Sequence, residues 1–99
     1  MITLLEFAKR TRVEYEKIVD DGIGDGLCSA TRWASCALGE PEDGNGEGLE
    51  QVMDRLILAN APYFGGKATG YYWPVDDTAS RFAVLDHIIK ELENESNQG

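Results

Sequence analysis

The sequence predicts a mainly α fold: one domain of about four helices, with an aromatic, Gly-rich extended segment between helices 3 and 4. Three observations carry this. Apolar residues recur at helical spacing in four separate stretches. Each stretch is closed by Gly, Pro or Asn. The only strand-like run, around Tyr71, has no second strand to pair with.

The first helix is expected over roughly residues 3–19. Thr3-Leu4-Leu5-Glu6 is a capping-box pattern. Leu4, Ala8, Tyr15 and Ile18 fall near one face with Leu5 and Val19 beside them, while Lys9, Arg10, Glu14, Glu16 and Lys17 fall mostly opposite. The run Asp20 to Gly26 holds three Gly and three Asp and reads as a loop, from which Asp25 can cap the second helix. That helix has a narrow stripe of Leu27, Ala30, Thr31, Ala34, Ala37 and Leu38, small enough for close packing, and Gly39 and Pro41 end it. The Ala-rich face could be a dimer seam as easily as a core seam, so a homo-oligomer is open.

Residues 39–48 are loop-like and acidic, and are expected to be a mobile surface loop or one ordered by a partner. Leu49, Val52, Met53, Leu56 and Ile57 define the third helix, which ends near Asn60, before Pro62. Residues 63–75 then pack aromatics against one end of the bundle. The last helix begins at Asp76, Asp77 or Thr78 and buries Phe82, Leu85, Ile89 and Leu92, with Ala79 and Ile88 flanking. From Glu93 the chain is polar and is expected to fray. The domain is therefore placed at 1–94, with 95–99 a polar tail.

Charge limits the partners. The chain has 99 residues, 9 Lys+Arg against 18 Asp+Glu, and a net charge of −9. Binding to duplex DNA or an anionic membrane needs a basic patch, and nothing exceeds Lys9-Arg10-Thr11-Arg12. No apolar run is long enough to cross a bilayer and no leader pattern opens the sequence, so a cytoplasmic protein is expected. Residues 39–62 carry six acidic side chains and one basic one, which makes them the acidic pole.

Metal and nucleophile chemistry find little material. A calcium loop from Asp21 would put Ile23 and Arg32 at ligand positions, and one from Pro41 would put Val52 there. Zinc would need Cys28, Cys36 and His87, but eight helical residues hold the two cysteines ~12 Å apart. The same span forbids a disulfide between them. Gly65-Gly66-Lys67 lacks the Walker pattern, since Ala61 and Ala68 replace the required Gly and Ser/Thr. Cys28 at a helix start and His87 form no recognisable nucleophile–base pair. A non-catalytic protein without cofactor or metal is expected.

Two binding sites remain. In Gly70-Tyr71-Tyr72-Trp73-Pro74, three successive aromatics cannot all enter one small core, so Tyr71, Tyr72 or Trp73 is expected to anchor a partner. The acidic residues Glu40, Glu42, Asp43, Glu47, Glu50 and Asp54 would meet a basic surface on it. The alternative is a nucleotide pocket. It would use the helix start at Gly26, Leu27 and Cys28, with Arg32, Arg81, Tyr72 and Trp73. In the simpler reading of the arginines, each pairs with a neighbouring Asp, Arg81 with Asp77 for instance.

Gly26-Leu27-Cys28 opening a helix, then Tyr72-Trp73-Pro74, then Arg81 and a helix containing Leu85, resembles short uncharacterised bacteriophage proteins. The likeness covers about half the chain. It implies a phage accessory protein acting in the host bacterial cytoplasm. On that resemblance, the expected function is inhibition of a host factor such as an antiphage defence system by protein–protein contact; the alternative is sequestration of a nucleotide signal.

Overall fold

The computed structural model describes residues 2–22, 27–64 and 78–97. These hold four helices, α1 (Leu4–Asp21), α2 (Leu27–Ala37), α3 (Leu49–Asn60) and α4 (Thr78–Asn97), with a 3-10 turn at Ala61–Phe64 and no strand. The segment 65–77, with the expected aromatic closure, and the cap expected from Asp25 lie outside the described residues.

Local chemistry sets the helix ends. Thr3 is the N-cap of α1, its hydroxyl accepting from the Glu6 amide at 3.1 Å. α1 runs to Asp21, slightly past the expected end, because Gly22 takes a left-handed conformation (φ 67°) and donates back to Ile18 and Val19 carbonyls. α2 ends in a Schellman motif. Gly39 (φ 80°) donates to Cys36 O at 3.4 Å and Glu40 donates to Ser35 O at 2.7 Å. α3 stops at Asn60 and passes directly into the 3-10 turn, where Pro62 supplies no amide. α4 continues through the polar residues after Glu93 to Asn97, against the expectation of fraying there.

One apolar cluster joins the helices. Phe7, Ala8, Tyr15 and Ile18 of α1 meet Ala30 and Ala34 of α2, Leu49, Met53 and Ile57 of α3, Ala61, and Val84, Leu85 and Ile88 of α4. Ala30 and Ala34 are fully buried, so the second helix does contribute a small-residue core seam. α1 is held to α4 by Tyr15 edge-on to Phe82 (4.9 Å), by Arg12 over the same ring (4.9 Å), and by ion pairs Arg12–Asp86 and Lys9–Glu93.

The inward face of α1 is rotated from the sequence expectation. Phe7, Thr11 and Glu14 are buried, whereas Val19 is exposed. The Thr11 hydroxyl escapes an unpaired state by donating to Phe7 O at 2.9 Å. Glu14 sits with Lys17 Nζ at 3.2 Å and Arg10 Nε at 3.7 Å from its Oε2, ion pairs without a well-aligned hydrogen bond. In α4 the face centres on Val84, Leu85 and Ile88; Phe82, Ile89 and Leu92 are only partly buried, and Ala79 is exposed.

Candidate functional site

The best-defined polar assembly is the connection between α2 and α3. Its sequence, Gly39 to Gly48, has no side chain able to join a core, so its backbone must find partners elsewhere. It finds them within itself. Asp43 donates to Glu47 O at 2.6 Å, Gly46 donates to Asp43 O at 3.3 Å, and Glu42 and Gly48 form an isolated antiparallel bridge. The Asp43 carboxylate accepts from the Asn45 and Glu47 amides at 2.8 and 2.9 Å. Gly46 completes the turn at φ 84°, where an L side chain is strained. The Leu49 amide donates to Pro41 O at 2.8 Å and ties the turn to the start of α3.

The carboxylates around this turn fall into four groups. Glu40 and Glu50 both hold Arg32 of α2, at 3.3 and 3.4 Å from its Nη1. The hydrogen bond to Glu50 is the main reason the Arg32 guanidinium is held more firmly protonated than usual. Glu47 pairs with Arg55 of α3, and that hydrogen bond lowers the Glu47 pKa and raises that of Arg55. Asp43 is lowered as well, first by the amide of Glu47 and then by that of Asn45. Glu42 is exposed on the outside of the turn.

Asp54 belongs to a different environment from the rest. It is half-buried, next to Thr31 of α2, with Oδ1 buried and without a hydrogen-bond partner. Burial pushes its carboxyl up to about 6; a hydrogen bond from Thr31 opposes this, and Glu50 one turn earlier adds to it. Asp54 of α3 thus lies beside α2, apart from the carboxylates of the turn. Glu50, too, is mostly covered, with a side chain 19% exposed.

The other residues singled out in the sequence are only partly placed. Tyr71, Tyr72 and Trp73 lie outside the described residues, as do Gly26 and the side chains of Leu27 and Cys28. Arg32 points into the acidic turn, and Arg81 is half-buried in the first turn of α4. Asp77, the carboxylate suggested for it, is outside the described residues. Cys36 is a free, exposed thiol, on the same uninterrupted helix as Cys28. His87 lies against Phe64, ring centroids 5.4 Å apart. Among the described residues, no group of three or more His, Cys, Asp or Glu side chains is placed to hold a metal ion. Among them, too, no helix is long and apolar enough to cross a membrane.

Sequence reading passed over Trp33, which is 42% exposed on the outer side of α2. Tyr63, expected to pack with the other aromatics against the bundle, is instead 81% exposed on the 3-10 turn, and only its neighbour Phe64 lies partly buried against the core. The wheel position of Trp33, away from Thr31 and Ser35, was the available signal.

No family model matches this chain, and no match is found among curated proteins or among solved structures.

Proposed function

We propose that this chain is a small, acidic, non-catalytic phage-encoded protein that binds and inhibits a host factor, such as an antiphage defence system, in the bacterial cytoplasm. The phage origin rests on the resemblance carried by Gly26-Leu27-Cys28, Tyr72-Trp73-Pro74 and Arg81. The mode of action rests on the acidic turn. Glu40, Glu42, Asp43, Glu47 and Glu50 outnumber the two guanidiniums, Arg32 and Arg55, that pair within it. That leaves a fixed excess of negative charge on a hydrogen-bonded scaffold. Such a surface speeds encounter with a basic partner, and aromatic burial slows departure. The nucleotide alternative draws less support, because Arg32, one of its two cations, already lies between two carboxylates.

The test is recovery of the partner from bacterial lysate on the immobilised chain, followed by affinity measurement with the purified partner. Association should slow as salt rises and in the triple variant Glu40→Gln/Glu42→Gln/Glu47→Gln, and the partner's mass should be unchanged after incubation. An affinity indifferent to both salt and neutralisation, or a covalently altered partner, overturns the reading.

A further inference from the structure

Asn45 and Gly46 lie within the acidic turn, and both are exposed. A side-chain amide is open to attack by the next backbone nitrogen when that residue is glycine, because no Cβ obstructs the approach. The two groups that must react are also lightly held. The Asn45 carboxamide makes no hydrogen bond among the described residues. The Gly46 N–H reaches Asp43 O at 3.3 Å, beyond the usual range, whereas the other bonds between residues 43 and 47 measure 2.6, 2.8 and 2.9 Å. Two other asparagines are placed differently. The Asn60 carboxamide donates to Leu56 O at 2.8 Å, and the next amide, that of Ala61, is held by Ile57 O. Asn94 lies inside α4, where the next amide is committed to a carbonyl one turn earlier.

We propose that Asn45 is a self-modification site, which closes on Gly46 and unlocks the acidic turn with time. The Gly46 nitrogen loses its proton and bonds to Cγ of Asn45; the bond from Cγ to Nδ2 breaks, and ammonia leaves with that proton. Water then opens the cyclic imide. Cleavage between the nitrogen and Cγ gives aspartate in an ordinary chain. Cleavage between the nitrogen and the main-chain carbonyl carbon gives isoaspartate, with the chain routed through Cγ. No atom is oxidised or reduced. Both products carry a carboxylate in place of an amide, so each makes the chain one charge more negative than its −9. Isoaspartate also adds one carbon to the backbone between Asp43 and Glu47. Asp43 N–H to Glu47 O, and Glu47 N–H to the Asp43 carboxylate, both close across that point at 2.6 and 2.9 Å, and the lengthened chain loses that fit. The inference goes beyond the proposed function: the conversion needs no partner, and its failure leaves that function standing.

The test ages the full chain at neutral pH, digests it, and separates the Asn, Asp and isoAsp forms of each asparagine peptide by chromatography with mass detection. Asn45 should convert at least about tenfold faster than Asn60 or Asn94, since freeing a bonded helix amide costs about one net hydrogen bond, about a factor of ten in rate. The aged chain should also show faster hydrogen exchange at the Glu47 amide. Gly46→Ala sets a methyl group beside the attacking nitrogen and should slow the conversion severalfold. That variant also strains the turn, so the comparison is repeated in urea, where the turn is open in both chains and only the methyl group differs. Conversion at Asn45 no faster than at Asn60 and Asn94 overturns the proposal, and so does a Gly46→Ala chain that converts as fast as wild type in urea. Conversion that leaves exchange of the Glu47 amide unchanged overturns the unlocking of the turn.

Discussion

Asp54→Asn should stabilise the protein at neutral pH and flatten part of its pH profile. The aspartate carboxyl is displaced from 3.8 to about 6, chiefly by burial. A displacement of that size corresponds to about 3 kcal/mol between the two protonation states. Asp54 is only half-buried, and solvent screening at its open side reduces the expected effect to about 1–2 kcal/mol. The sign follows from linkage. The folded chain holds this proton more tightly than the unfolded chain does. The stabilising contribution is complete below about 4 and is lost as pH rises through about 6. Asp43 and Glu47, whose pKa values are lowered, act oppositely, contributing above their unfolded values and losing that contribution as pH falls. The informative quantity is therefore the difference between wild type and variant. Urea unfolding at half-unit intervals from pH 4 to 8 should show Asn gaining on Asp between about 4 and 6, reaching about 1 kcal/mol at pH 7, or about 4–8 °C in Tm. Carbon-detected titration of the wild-type carboxyl should have its midpoint near 6. Parallel stability profiles, or a midpoint near 3.8, would refute the burial of Asp54 against Thr31.

Three further outcomes are expected. Gly46→Ala should cost about 1 kcal/mol through backbone strain alone, because φ is 84° and an added Cβ meets nothing within 4 Å, whereas Gly44→Ala should be nearly neutral; faster exchange of the Glu47 amide checks the first. Ala34→Leu should destabilise by about 1–3 kcal/mol in chemical denaturation, since Ala34 is fully buried in the helix seam and the larger side chain must displace backbone. Glu40 occupies the left-handed region at φ 52° and also pairs with Arg32, so Glu40→Gln should lose no more than about 1 kcal/mol, and Glu40→Gly should be at least as stable as the Gln variant by thermal melting.

The helix boundaries were legible because they depend on chemistry local in sequence. Thr3, Gly39 and Pro62 act on backbone groups within a few residues, and the α3 bounds at Leu49 and Asn60 follow. Burial of charged side chains was not legible. Glu14 looks like a solvent-face residue, but the α2 residues buried among those described, Ala30, Thr31, Ala34 and Ser35, are all small, and such residues permit close approach of a neighbouring helix. The flank of α1, where Glu14 lies, is then covered. Asp54 is a similar case: its partner Thr31 lies on another helix, so no spacing rule joins them. Arg32 was expected to pair with a neighbouring Asp, but its partners are glutamates, Glu40 of the turn and Glu50 of α3.

The acidic turn combines two properties that usually oppose each other. Like charges crowded into a few residues favour an open chain, yet this segment is closed by backbone bonds at both ends. The opposition is resolved by how the carboxylates are used. Asp43 turns inward and accepts two amides, Glu47 is neutralised by Arg55, and Glu40 and Glu50 share one guanidinium. Repulsion is thus reduced where the chain folds tightly, and the exposed Glu42 and the half-neutralised Glu40 lie at its outer edge. A segment already tied in this way has less conformational freedom to lose on meeting a partner than a mobile acidic loop would. For a protein whose proposed action is contact, charge held on a closed turn adds to affinity as well as to encounter rate.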